Sequence, residues 1–106
     1  MPGQIDFATK RVIRGVILKL IYQKHERQET RFRDLTLLAA LDQLSFHVYL
    51  NLVCELLQDL SDRGLLKFES DRNRRTGVVT MWGIQLLPPG RDVVERYRFD
   101  PAVDVG

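Results

Sequence analysis

A change in hydrophobic periodicity at Gly64 constrains the fold of this chain more than any other feature. Before Gly64, apolar residues recur about every three to four positions, which is the spacing of amphipathic helices. After Gly64, two short apolar runs, Leu65–Ser70 and Val78–Leu87, flank a polar turn, which is typical of a β-hairpin. A chain of 106 residues in this order has room for one core. The sequence therefore predicts a single α+β domain that is mostly helical.

The first predicted helix spans Phe7–Glu26 and is apolar on two sides. One side fits the core of the domain. The other side, which carries Leu18, Ile21 and Tyr22, needs either the C-terminal helix or a second copy of the chain to cover it. We therefore predict a homodimer that uses these three side chains. A short strand around Phe32 is predicted to follow.

Two more helices are predicted before Gly64. Asp34 is a plausible N-cap for a compact helix over Leu35–Leu41, and Ser45 is a good N-cap for a long helix over Phe46–Arg63. Gly64 is the expected C-terminal stop of the long helix. The predicted core stripe of the long helix consists of Phe46, Tyr49, Leu50, Val53, Leu57 and Leu60.

The C-terminal third predicts a hairpin and a last helix. On the second strand, alternate residues are expected to share one face: Val78, Thr80, Trp82, Ile84 and Leu86. Pro89 fits the first turn of a helix that runs to about Phe99. The sequence thus predicts one domain over residues 1–99 and a flexible tail over residues 100–106.

Composition excludes several classes of protein. Apolar residues at 44% and charged residues at 28% argue against a disordered or low-complexity chain. The longest apolar stretch, around Val16–Tyr22, contains Lys19 and is too short for a membrane span, so a cytoplasmic protein is expected. Cys54 is the single cysteine, which excludes an internal disulfide and a multi-cysteine zinc site. No nucleophile elbow, carboxylate pair or phosphate loop is present, so we expect neither an enzyme nor a cofactor.

Charge is distributed unevenly along the chain, although the net charge is only +2. Residues 1–33 hold eight Lys or Arg and three acids, whereas residues 34–69 hold two and six. Three arginines, Arg72, Arg74 and Arg75, lie in the hairpin turn. Because polyanions respond to local potential rather than to net charge, this pattern predicts a basic face beside an acidic one.

The second half of the chain carries a specific pattern: a helix that ends in a glycine and two leucines, a basic turn, and a strand that leads through a glycine into a helix. It is formed by Leu56-Leu57, Leu60, Gly64-Leu65-Leu66, Asp71-Arg72-Asn73-Arg74-Arg75, Ile84, Leu86, Gly90 and Val93-Val94-Glu95. This order of elements resembles a winged helix-turn-helix domain, and the basic turn resembles the wing of small bacterial regulators of the MarR and PadR type.

The resemblance implies double-stranded DNA as partner and transcription regulation as function. In such domains the third helix enters the major groove and the wing lies along the adjacent backbone. Ser45, His47 and Asn51 would then contact base edges. The residues expected to contact phosphates are Arg31, Arg33, Arg72, Arg74 and Arg75. Asn73, at the tip of the turn, would either hydrogen-bond phosphates or reach into the minor groove.

A second interpretation uses the same fold as a protein–protein adaptor. The third helix has no Lys or Arg between Ser45 and Asp62, and it carries Glu55 and Asp59 as well as Asp62. Val48 and Leu52 lie among these acids on the helical wheel and could contact a protein partner. The wing favours DNA and the third helix favours a protein, and the sequence leaves both open.

Overall fold

Over the residues that the structure describes, the protein is a small α+β domain with four helices and one antiparallel hairpin. The computed structural model describes residues 6–26 and 32–106. In chain order the elements are α1 (Phe7–Glu26), α2 (Asp34–Gln43), α3 (Leu50–Asp62), β1 (Leu66–Arg72), β2 (Val79–Leu86) and α4 (Pro88–Val94). The predicted class, the four helices and the hairpin are confirmed.

The short strand predicted around Phe32 is not formed in the described part of the chain, where the sheet has two strands. Phe32 is buried, and its carbonyl oxygen accepts one hydrogen bond from the amide of Ile84 on β2 (3.2 Å). A single bond of this kind anchors the start of α2 to the hairpin without forming a ladder.

One hydrophobic core connects all the elements. Each of its fully buried aliphatic side chains contributes about 1.5–3 kcal/mol relative to exposure. Its members include Ile13, Ile17, Leu18 and Ile21 of α1, Leu37 and Leu41 of α2, Val53, Leu56, Leu57 and Leu60 of α3, Leu66, Met81, Ile84 and Leu86 of the hairpin, and Val93 of α4.

The predicted homodimer surface is wrong for two of its three residues. Leu18 and Ile21 are 0% and 2% exposed within a single chain. α1 packs against α2, α3, β2 and α4, so the chain itself covers both apolar sides of this helix. Tyr22 is half-buried, and its hydroxyl donates to Glu95 Oε2 (3.3 Å) just after α4. Leu18 and Ile21 are therefore unavailable to a second copy of the chain, and the homodimer itself stays a prediction.

α2 ends in a Schellman motif at Ser45, which corrects the start predicted for the third helix. Ser45 has a φ of 68°, and the amide of Phe46 donates to the Leu41 carbonyl (2.8 Å). Ser45 therefore closes α2 rather than capping α3. α3 begins at Leu50, and Tyr49, which was predicted in the core, occupies its N-cap position and is 81% exposed.

A β-bulge at Gly83 changes which side of β2 faces the core. Lys67 pairs with Gln85 and Glu69 with Trp82, so β2 has one more residue than β1 between these pairs. Gly83 has a φ of 60°, as a glycine at this kind of bulge requires. Ile84 and Leu86 are buried as predicted, but Met81 replaces Trp82 on the core side and Trp82 is 40% exposed. The prediction of one continuous face through Trp82 is wrong.

The last helix is shorter than predicted. α4 ends at Val94 because Arg96 has a φ of 66° and closes a Schellman motif, in which the Tyr97 amide donates to the Asp92 carbonyl (2.8 Å). The chain then turns back toward α1 instead of continuing to Phe99 as a helix.

Residues 100–106 pack on α1, so the prediction of a flexible tail is wrong. Ala102 and Val103 are buried, and the Asp104 amide donates to the Arg11 carbonyl (3.0 Å). Gly15 permits this contact, because a Cβ at that position would lie 1.8 Å from the Asp104 carbonyl oxygen. The absence of a side chain at one point of α1 therefore sets the path of the C-terminal segment.

Candidate nucleic-acid interface

A groove of about 690 Å³ lies between the first half of α3 and the hairpin. Asn51, Glu55 and Gln58 of α3 line one side, and Asp71 and Arg72 lie among the hairpin residues on the other. Asn51, a predicted base-contacting residue, is exposed in the first turn of α3. The fold thus places the start of α3 and the base of the arginine-rich turn beside one groove.

The turn between β1 and β2, which together with Arg72 at the end of β1 we call the wing (residues 72–78), is organised by Asn73. The Asn73 side-chain oxygen accepts hydrogen bonds from the amides of Arg75 (2.8 Å) and Thr76 (3.1 Å), which is an Asx-type turn. The Gly77 amide donates to the Asn73 carbonyl (2.7 Å). Asn73 was predicted to contact nucleic acid, but its oxygen is committed to the turn and only its amide donors remain for a ligand.

The three predicted phosphate-binding arginines of the hairpin, Arg72, Arg74 and Arg75, are all exposed. None of them forms an ion pair with another residue in the described ranges. Arg72 lines the groove, and Arg74 and Arg75 follow it in the turn, so three unpaired guanidinium groups of the hairpin are available to phosphate oxygens.

Ser45 and His47 are exposed, but they precede α3 rather than lying on it. His47 Nδ1 lies 2.6 Å from Asp42 Oδ1, so the carboxylate at the end of α2 fixes one ring nitrogen. The other ring nitrogen is left for a ligand. Both residues therefore belong to the α2–α3 connection. They could contact bases only if this connection, and not just α3, approached the DNA.

Two of the three acids of α3 are engaged in contacts of their own. Asp59 Oδ2 lies 3.0 Å from Arg14 Nε on α1 and 3.0 Å from Arg63 Nε. Asp62 accepts a hydrogen bond from Gln58 (2.9 Å). Glu55 is the one α3 acid that lines the groove. The negative charge that favoured a protein partner is thus partly used to hold α3 against α1.

Val48 and Leu52, the two residues predicted for an adaptor surface, are half-buried and pack against the core. Their side chains therefore offer little free apolar area. Leu44 and Tyr49, at 52% and 81% exposed, present more apolar surface at the α2–α3 connection.

A buried carboxylate links α2, α3 and the hairpin behind the groove. Asp34 is 1% exposed, and its two oxygens accept hydrogen bonds from the amides of Leu35 (2.7 Å) and Met81 (3.1 Å). The Cys54 thiol lies 3.9 Å from Asp34 Oδ2. Burial, together with the nearby Asp34 charge, raises the pKa of the Cys54 thiol, which keeps it protonated and unreactive.

Two predicted phosphate ligands lie before α2. Arg33 occupies the N-cap position of α2 and is exposed, with its Nε 3.9 Å from Asp34 Oδ1. Arg31 lies outside the described residues.

The exposure of Tyr49, at the start of α3, was not predicted from the sequence. Leu41 and Phe46 are apolar and flank Ser45 at the spacing of a Schellman motif, and this pattern could have indicated that a helix ends there rather than begins.

Comparison of the chain with protein-family models and with curated proteins finds no match to either. Among the described residues, no helix is long and apolar enough to cross a membrane, and no group of His, Cys, Asp and Glu side chains is arranged to hold a metal ion.

Proposed function

We propose that this protein is a winged helix-turn-helix DNA-binding protein that acts in transcription regulation. In this proposal the first turn of α3 enters the major groove of duplex DNA and the arginine-rich wing lies along the neighbouring phosphates. Asn51 is the main base-contacting residue, since its amide both donates and accepts and so matches adenine. Arg72, Arg74 and Arg75 provide most of the affinity by neutralising phosphates.

The observation that carries the proposal is the groove shared by Asn51 and Arg72. Asn51 is exposed at the start of α3, and Arg72 lies on the opposite wall. Arg74 and Arg75 follow in the wing, and neither is neutralised by another described residue. The withdrawal of Asp59 into contacts with Arg14 and Arg63 also lowers the electrostatic cost of bringing α3 near phosphates.

The test is fluorescence anisotropy of labelled duplex DNA with the triple variant Arg72→Gln, Arg74→Gln, Arg75→Gln. Because each lost phosphate contact removes about 0.9 from the slope of log K against log salt, the slope should become shallower by about 2.7. A matched control, Lys10→Gln, Arg96→Gly, Arg98→Gln, removes the same charge elsewhere and should leave most of the slope intact.

Asn51→Ala separates base reading from phosphate binding. On a selected target duplex the variant should lose about 1–3 kcal/mol, while its binding to mixed-sequence duplex should stay close to wild type. Equal slopes for the wing variant and wild type would remove the wing from the mechanism. A protein complex lost on Leu52→Asp, in a variant that still folds, would favour the adaptor interpretation instead.

A further inference from the structure

A second surface, at the opposite end of α3 from the groove, combines exposed aromatic and arginine side chains. It is the segment Arg96–Phe99, which we call the RYRF segment. Tyr97 and Phe99 are 81% and 79% exposed, and Arg96 and Arg98 alternate with them. Two large aromatic side chains that are both largely exposed and only two residues apart are typical of an interaction site.

The RYRF segment is held in place at both ends. The amides of Tyr97 and Arg98 both donate to the Asp92 carbonyl (2.8 and 3.2 Å), which fixes the start of the segment. At its other end, the buried Asp100 accepts hydrogen bonds from Arg63 Nη1 (3.3 Å) and from the Ala102 amide (2.9 Å). The aromatic side chains therefore project from a fixed backbone, which lowers the entropy lost on binding.

A groove of about 490 Å³ runs beside the segment, with Arg11 of α1 on its wall together with Arg96 and Arg98. None of the three guanidinium groups forms an ion pair within the described ranges, and Arg11 Nε is buried without a hydrogen-bond partner there. Of the two acids on this wall, Asp100 is already bonded to Arg63, and Asp104 accepts a hydrogen bond from the Gly106 amide (2.9 Å), while three arginines line the same wall. The groove thus offers cations to an anionic ligand.

We propose that the RYRF segment and its groove bind single-stranded nucleic acid, with bases stacked on Tyr97 and Phe99 and phosphates held by Arg11, Arg96 and Arg98. Unpaired bases have free π-faces that stack on aromatic side chains, whereas a duplex conceals them. A second copy of the chain fits less well, because a two-fold interface here would bring the unpaired arginines of both copies into one contact region.

This surface is distinct from the proposed duplex-binding groove, and the two share no lining residue. Asn51 and Arg63 are separated by about 18 Å along α3, from a rise of about 1.5 Å per residue. One molecule could therefore hold a duplex at one end of α3 and an unpaired strand at the other.

The experiment measures the anisotropy of labelled oligothymidylate and of a labelled duplex with the same proteins. Tyr97→Ala with Phe99→Ala should weaken oligothymidylate binding by about tenfold for each aromatic side chain lost and leave duplex binding unchanged. Tyr49→Ala, which removes an equally exposed tyrosine, is the matched control and should have no such effect. Arg96→Gly keeps the positive φ of that position while it removes a charge, so it should reduce the salt slope by about 0.7 without unfolding the protein.

Three results would overturn the proposal: no oligothymidylate binding by wild type at low salt, equal binding by the Tyr97/Phe99 double variant, or an equal loss in Tyr49→Ala. Light scattering would give a fourth such result. If wild type is a dimer and the Tyr97/Phe99 double variant is a monomer, the surface binds a second copy of the chain instead. If the RYRF segment is responsible, the triple wing variant should still bind oligothymidylate. A failure of this proposal can therefore be told apart from a failure of the proposed duplex binding.

Discussion

Replacing Gly15 by alanine should destabilise the protein, although alanine is the better helix former by about 1 kcal/mol. A Cβ on Gly15 would lie 1.8 Å from the carbonyl oxygen of Asp104, and real side chains do not come within 3.0 Å of such an atom. Both groups belong to the backbone or start from it, so no side-chain rotation relieves the contact. Residues 102–106 must therefore move away from α1.

The size of the effect follows from what this movement breaks. The hydrogen bond from the Asp104 amide to the Arg11 carbonyl contributes about 1 kcal/mol. Burial of Val103 contributes about 1.5 kcal/mol and that of Ala102 about 0.8 kcal/mol. After the gain of about 1 kcal/mol in helix propensity is subtracted, Gly15→Ala should lower the free energy of unfolding by about 2 kcal/mol.

Urea denaturation followed by circular dichroism measures this quantity. The control is the same substitution in a chain truncated after Pro101, where no carbonyl opposes the new methyl group. There Gly15→Ala should be stabilising by about 0.5–1 kcal/mol, so the sign of the effect reverses. A full-length Gly15→Ala protein that is more stable than wild type would refute the packing of residues 102–106 on α1.

Three further predictions concern other elements. Ser45→Gly should raise the free energy of unfolding by about 0.5–1 kcal/mol, because glycine adopts the positive φ of this position without strain; an unchanged urea midpoint would contradict the Schellman end of α2. Asp34→Ala should cost about 2–3 kcal/mol, because it leaves the buried Met81 amide without its acceptor and removes the bond to the Leu35 amide, whereas the exposed Asp42→Ala should cost under about 1 kcal/mol in the same denaturation assay. The raised pKa of the Cys54 thiol means that its contribution to stability is complete below about pH 8.5 and is lost as the pH rises through the folded-state pKa. The stability difference between wild type and Cys54→Ala should therefore fall as the pH rises above about 8.5, and a difference that grew with pH would contradict this sign.

The class and the order of elements follow from the sequence because they depend on local periodicity. The apolar spacing predicts both ends of α1 correctly, and α3 ends before Gly64 as predicted. The hairpin follows from the polar turn between two apolar runs. None of these features requires knowledge of which distant residues meet.

The errors arose where a few backbone conformations decide the path. Ser45 in the left-handed region shifts the start of α3 by several residues and moves Tyr49 from the core to the surface. The bulge at Gly83 reverses the inward and outward sides of the distal half of β2. The contact between Gly15 and Asp104 joins residues far apart in the chain, which no periodicity could indicate.

The candidate site was predictable in its composition but not in its electrostatics. The exposed wing arginines could be predicted from the turn that contains them. The pairing of Asp59 with Arg14 could not, because it depends on how α3 packs on α1. The RYRF segment was also missed, since Tyr97 and Phe99 were assigned to a last helix that ends before either of them.

The most direct test of the DNA-binding proposal is the binding of wild-type protein to mixed-sequence duplex DNA across salt concentrations from about 50 to 200 mM. We expect micromolar binding at low salt that weakens steeply as salt is added, because Arg72, Arg74 and Arg75 are exposed and unpaired within the described part of the chain. No binding at the lowest salt, with the protein folded by circular dichroism, would contradict the proposed function.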